Sequence, residues 1–442
     1  LYSIAVGTDS AYHMVVSTAG KVGIGTTGPN TKLHISSGTL TIDGDVATSI
    51  NAVGDITAAR YQINGSTVVA VLPGTGSLGI GGDAGRLNTG DYNVFVGYAA
   101  GYTNTTGVEN SFVGAGAGYF TTGSYNSFLG SSAGYNNTTG EFNTFLGYRT
   151  GVANTTGNYN SFLGAGAGYF TTGSYNSFLG AGAGYTNTTG EYNAFLGYKA
   201  GYTNTTGNYN SFIGAYAGST NTTGEFNTFL GYEAGRYTQT GAGNVILGYQ
   251  SGYGVENNSF SSSTIMGYQA GYGLTTGNGN IFLGWKAGYS VTTGTGNIII
   301  GYNETTPAAD TNNHLNIGGV IYGDLSDGKI GIGEPSPQAG LDIQSSTNTA
   351  YSLAVGTSSA YNMVISTNGD VGVGLVNPLA KVHIQAYESG KELLYVSTSA
   401  TVGYYSISVS SLGITNINNL VIENRTSDPA NPVTGQIWLR TD

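Results

Sequence analysis

From residue 93 to residue 301 a short apolar run alternates with a glycine-punctuated polar turn every 16 or 17 residues. The apolar run reads NVFVG at 93–97, NSFVG at 110–114, NSFLG at 126–130, 160–164 and 176–180, NTFLG at 143–147 and 227–231, NAFLG at 193–197 and NSFIG at 210–214. It continues as NVILG at 244–248, NIFLG at 280–284 and NIIIG at 297–301, with a divergent copy, STIMG at 263–267, after an insertion. Aromatic and β-branched residues bounded by Gly predict a strand in each run, and Thr-Thr-Gly predicts the turn between runs. Helical periodicity is essentially absent. One short helix is expected near 387–397.

A unit of 17 residues cannot bury a face alone, but stacked units can, because each coil's backbone pairs with the next and like side chains align. The sequence therefore predicts an all-β fold: a parallel β-solenoid (β-roll or β-helix) of about 13 coils. With coils ~4.8 Å apart the rod would be on the order of 60 Å long. Stacking aligns Asn93, Asn110, Asn126, Asn143, Asn160, Asn176, Asn193, Asn210 and Asn227 into a structural amide ladder, each side chain bonding its equivalents above and below. It likewise aligns Phe95, Phe112, Phe128, Phe145, Phe162, Phe178, Phe195, Phe212 and Phe229 into a core or trimer column, and Tyr102, Tyr119, Tyr135, Tyr169, Tyr185 and Tyr202 into a second aromatic file. Packing is the expected role of all three.

In Phe-Leu-Gly the two apolar residues are adjacent, so a strand points them to opposite faces. A wall apolar on both faces is covered on both. The simplest cover is another copy around a symmetry axis, which predicts an intertwined homotrimer, extensible to a longer filament.

The flanks repeat too. Tyr2–Gly7 through Lys32–Ile35 recurs as Tyr351–Gly356 through Lys381–Ile384, and a partial copy lies at Lys329–Gly333 with Leu341–Ile343. The predicted layout is a β connector at 1–40, a short β linker at 41–76, the solenoid at 77–302, a partial connector at 303–345, a second connector at 346–390 and a C-terminal β module at 391–442. The chain opens on Leu1-Tyr2-Ser3 inside a patterned segment and reads as a piece of a longer protein.

Composition narrows the function classes. Gly is 75 of 442 residues, roughly 17 per cent against a usual ~7 per cent, without the three-residue period of collagen. The 34 Tyr argue against disorder. A net charge of −11 without a basic stripe predicts no nucleic-acid partner. No apolar run approaches the ~18 residues of a membrane helix, so no membrane insertion is expected. There is no Cys.

Candidate chemistry is thin. Gly23–Gly28 matches G-x-G-x-x-G with no βαβ context, and Gly323–Ile330 nearly matches a phosphate loop but places Ile330 where a hydroxyl is needed. The His residues (His13, His34, His314, His383) lack metal spacing, and Glu109, Glu141, Glu191 and Glu225 read as one column of solvated charges. No catalytic residue, metal or cofactor is predicted. Asn104, Asn187, Asn204 and Asn221 begin N-x-T acceptor patterns.

KVGIGTTGPNTKLHI at 21–35 resembles an element of phage tail fibres and bacterial tail-fibre-domain proteins, as does DPANPVTGQIWLRTD at 428–442. The NSFLG repeats are similar to the N-S-x-A-I-G repeats in heads of trimeric autotransporter adhesins. That resemblance implies a trimeric β-roll rod used for attachment. The longer repeat and its Phe depart from the adhesin pattern, so handedness and coil shape do not carry over. The expected function is a non-enzymatic structural or adhesive fibre shaft, extracellular on a cell surface or virion, contacting surface glycans or a host-cell receptor. Two other readings stand beside it. One is an ice-binding solenoid using Thr106, Thr122, Thr139, Thr156, Thr172, Thr189 and Thr206; the other is a polysaccharide-degrading β-helix, for which the break at 253–263 offers only Glu256.

Overall fold

A computed structural model describes residues 2–8, 11–35, 60–63, 66–255, 258–344, 351–357, 360–384, 424–425 and 439–440. The chain divides into two compact units, Leu1–Gly319 and Val320–Asp442. The described residues are all-β, with no helix. The helix expected at 387–397, Glu256 and most of 428–442 lie outside the described residues.

The first unit is dominated by a parallel β-solenoid. Fourteen three-residue strands, from Leu78–Ile80 to Ile298–Ile300, each pair with the next, and a further rung, His314–Ile317, pairs with the last of them. Register follows the repeat: Phe128 faces Phe145, Phe145 faces Phe162 and Phe162 faces Phe178. One strand escaped the motif because Leu78-Gly79-Ile80 carries Gly where the others carry Phe. Gly79 faces Phe95, and Leu72, just past the end of the preceding strand, joins the same buried cluster there. That strand, Ser66–Val71, runs antiparallel to Leu78–Ile80 and to Arg60–Ile63, so the stack begins on an antiparallel hairpin.

Each three-residue strand alternates out, in, out. Ser177 and Leu179 are exposed while Phe178 between them is buried. Buried Phe rings stack nearly parallel, with Phe128–Phe145 centroids 4.7 Å apart and Phe178–Phe195 4.8 Å apart. That spacing is the strand spacing itself. Burying each ring contributes ~1.5–3 kcal/mol before packing terms are added. A file of small residues, including Ala117, Ala133, Ala167 and Ala183, lines the core beside them. The corners require glycine: Gly180 has φ +141°, and a Cβ there would run into the carbonyl of Gly197 in the next coil.

The connector in the first unit comprises Tyr2–Thr8, Ala11–Ser17, Val22–Ile24 and Leu33–Ile35, paired antiparallel, antiparallel and parallel. The second unit repeats this in Tyr351–Thr357, Ala360–Ser366, Val371–Val373 and Val382–Ile384, with register shifts at equivalent places. Its partial copy is Ile321–Asp324, Lys329–Ile332 and Leu341–Ile343, paired antiparallel then parallel. The near-match to a phosphate loop is thus a hairpin, its turn held by Ser326 donating to Asp324 Oδ1.

Candidate functional site

The Asn file sits at the entry to each strand and is buried throughout. Its hydrogen bonds differ from the expected side-chain ladder. Asn176 Oδ1 accepts the backbone N–H of Asn193 at 3.0 Å, and Asn176 Nδ2 donates to the Gly190 carbonyl at 2.9 Å. Direct amide-to-amide bonds are few and long, as between Asn193 and Asn176 at 3.2 Å. The side chain is therefore a bracket for backbone groups that the corner leaves without strand partners. The Phe file forms the interior of one solenoid, with every ring from Phe95 to Phe229 buried. Within one chain it is core, and it is not available as a trimer contact.

A second buried Asn file was missed. Asn88, Asn104, Asn137, Asn154, Asn187, Asn204 and Asn221 are each at most 1% exposed. Their period was visible, but their place in a Thr-rich turn made them look like surface residues. Asn187 donates to the Gly190 carbonyl at 2.8 Å, and Asn204 to that of Gly207 at 2.9 Å. The N-x-T reading is corrected on this point: in the folded solenoid these amides are buried and bonded, closed to a glycosyl transferase.

The second file breaks where Thr replaces Asn. Asn104 Oδ1 with Thr121 Oγ1, Asn154 Oδ1 with Thr171 Oγ1, and Asn221 Oδ1 with Thr238 Oγ1 are all buried without a hydrogen-bond partner. Asn88, in a similarly shortened turn, donates to Gly90 O at 2.9 Å and accepts from Asn104 at 2.9 Å. Thr121→Asn should reproduce that arrangement and raise stability by about 1–2 kcal/mol. An unchanged or lower denaturation midpoint would count against it.

Three aromatic files run on the outside. The Tyr102 file stacks at about the coil spacing, with Tyr102–Tyr119 at 4.9 Å and Tyr185–Tyr202 at 5.1 Å, interrupted by Val152. The second, Tyr125–Phe142–Tyr159–Tyr175–Tyr192–Tyr209–Phe226, precedes the Asn file and was overlooked because Phe and Tyr share it. Its residues sit at positive φ, 56° at Tyr192, a conformation costing roughly 1–2 kcal/mol that ring stacking partly offsets. Glu109 belongs to this file (φ 56°), one position beyond the file of Glu141, Glu191 and Glu225. The four Glu therefore do not share a column. Asn208 separates Glu191 from Glu225: its Nδ2 donates to the Glu225 carboxylate and its Oδ1 accepts the Glu191 N–H. Like charges are thereby kept apart.

The third file, Tyr232–Tyr249–Tyr268–Trp285–Tyr302, is unbroken only in the later coils; earlier, Tyr98, Tyr148 and Tyr198 hold its position singly. Beside it runs a polar file. Glu233 is buried, pairs with Arg236, and accepts from Gln250 Nε2 at 2.7 Å; Gln250 Oε1 accepts from Gln269 Nε2 at 2.9 Å. Burial, together with a hydrogen bond to Tyr237, pushes the Tyr253 hydroxyl up to about 12. The fold holds this phenol neutral, so its contribution is complete below the unfolded pKa near 10 and is lost as pH rises toward 12. Ultraviolet titration should show a tyrosine fraction ionising late, with structure lost in that window; a single transition near pH 10 with structure retained would contradict it.

Among the described residues no group of three His, Cys, Asp or Glu is placed to hold a metal ion. His34 and His383 face Gly23 and Gly372 in equivalent connector strands, and His314 occupies the Asn position of the last rung. Several Thr hydroxyls of the turns are spent inside the stack, as Thr122 and Thr172 donate to the Thr138 and Thr188 carbonyls at 2.8 Å. Of the seven Thr of the ice-binding reading, Thr122 and Thr172 are engaged in this way.

The fold and its files define a parallel β-solenoid repeat protein. Comparison with protein families, with curated proteins and with solved structures finds no match.

Proposed function

We propose that the chain forms the shaft of an extracellular, non-enzymatic fibre, assembled as a homotrimer, that attaches its bearer, a cell or a virion, to a surface or host cell. The observation carrying this reading is the outer face of the strand sheet. Leu129, Leu146, Leu163, Leu179, Leu196, Ile213 and Leu230 form one continuous outward rank, each 38–49% exposed. A contiguous apolar strip along a rod is an association surface. A second copy with parallel axis has the same rise per coil, so its Leu rank interleaves with this one along the whole length. Point-group closure around three copies would hide the strip without opening a path to side-by-side aggregation. The sparse charge and the rigid stack suit a spacer that holds a contact far from its anchor.

Sedimentation of the intact chain tests the assembly: three times 45.2 kDa is expected. Leu179→Asp with Leu196→Asp should yield folded monomer, since both side chains lie outside the core. A wild-type monomer would sink the trimer, and electron microscopy of the native particle would show whether rods project from its surface.

A further inference from the structure

The polar file is unbroken over four coils only from Glu233 onward; in the earlier coils its position holds Ser132, Arg149 and Lys199 among Gly, Ala and Tyr. In three earlier coils the position is Gly116, Gly166 or Gly182, where a Cβ would meet the Tyr135, Tyr185 or Tyr202 ring of the next coil at 3.2–3.4 Å. Those rings close the strip. From Glu233 onward the strip holds long polar side chains, half-buried at Gln250, Gln269 and Lys286, between the more exposed rings of Tyr249 and Tyr268 on one side and the Tyr253–Tyr272–Tyr289 stack on the other. The result is a shallow trough parallel to the rod axis.

Its chemistry is that of a neutral hydrogen-bonding ligand. The Glu233 carboxylate is neutralised by Arg236, whose Nε is buried without an acceptor, and Lys286 lies against the Trp285 and Tyr289 rings at 4.6 and 5.0 Å. The chain Gln269→Gln250→Glu233 fixes the direction of both amides. Each amide has two N–H groups and uses one in that chain, so one remains for a ligand at each of these two coils. Ring faces in the flanking stacks are covered by their neighbours, so what they present is edges and hydroxyls. Backbone donors and acceptors of the coils are engaged with adjacent coils, so an added peptide strand finds no edge here. An overall charge of −11 disfavours nucleic acid and polyanions.

We infer that the trough spanning Glu233, Gln250, Gln269 and Lys286 binds a neutral linear polysaccharide lying along the rod axis, its hydroxyls meeting the Gln250 and Gln269 amides on successive coils. This rests on the attachment reading and places the attachment on one segment of the shaft.

Affinity gel electrophoresis of the full chain in hydroxyethylcellulose, xylan and galactomannan, with dextran sulfate as the anionic comparison, provides the test. Retardation by at least one neutral polymer is expected, and little by dextran sulfate. The double variant Gln250→Leu, Gln269→Leu keeps side-chain volume and should bind about tenfold more weakly or worse, with unchanged circular dichroism and sedimentation. The same losses in Gln239→Leu, outside the trough, would mark them as nonspecific and overturn the site. Wild-type retardation that the double variant retains overturns the site while leaving attachment standing. No retardation by any neutral polymer overturns the inference, and the trimer is judged separately by sedimentation.

Discussion

Replacing Phe178 with Ala is expected to cost about 3–5 kcal/mol, the largest effect of any single core change. The ring lies between those of Phe162 and Phe195 at 4.7 and 4.8 Å and packs on Gly184, where no Cβ fits. Three features keep the hole from closing. Backbone pairing fixes the coil spacing, the neighbouring rings are parallel plates, and Gly184 has no side chain to lean in. A quasi-one-dimensional stack broken in the middle should also lose cooperativity, because the coils on either side couple only through their neighbours. Denaturation followed by circular dichroism should therefore shift and broaden, or separate into two steps. Phe178→Ile should be far milder, since Ile246 and Ile265 already occupy this file fully buried. A loss below about 1 kcal/mol for the Ala variant would show that the column does not hold the coils together.

Asn193→Ala is the second large effect, at about 3 kcal/mol. Asn193 Oδ1 accepts the N–H of Asn210 at 3.0 Å, and its Nδ2 donates to Gly207 O at 2.9 Å and to Asn176 at 3.2 Å. Alanine leaves the Asn210 N–H buried with no acceptor, the most expensive part of the change. Gly207 O keeps its bond from Asn204 and contributes little. The molecule contains its own control. Ser263 stands in this file, accepting the Asn280 N–H at 3.2 Å, so Asn193→Ser should recover a good part of the loss. Hydrogen exchange at the Asn210 amide is the sharper readout. If Ala and Ser variants exchange there alike, the bracket role assigned to the side chain is wrong.

The contrast between these two files explains what was legible in the sequence. The Phe column, the strand register and the solenoid itself followed from a period that recurs over 200 residues with little drift. A buried position in a stack must repeat, so repetition betrays it. What the Asn amides bond to was not legible, because their partners are backbone atoms of the next coil and leave no residue-type signature. Asn104 and its equivalents were misread as surface residues for a related reason: polar residues in a Gly-Thr turn look solvated unless the turn is known to fold inward. The strand at Leu78–Ile80 was invisible because Gly79 lacks the marker side chain. The trough at Gln250 and Gln269 was hidden by its irregularity, since it exists where the repeat changes and a consensus averages it away.

The in-register stacking of like on like has one more consequence. Asn110 and Asn160 begin two nearly identical stretches fifty residues apart, three coils long, or about 14 Å of rod. Unequal exchange between such stretches would remove or duplicate three coils while every new neighbour meets the kind of neighbour it had before. The hairpin that starts the stack and the later coils that carry the trough would be untouched. Reach thus becomes a quantity that can drift between lineages in fixed increments, like a ruler cut at its graduations, while the parts at either end keep their shape.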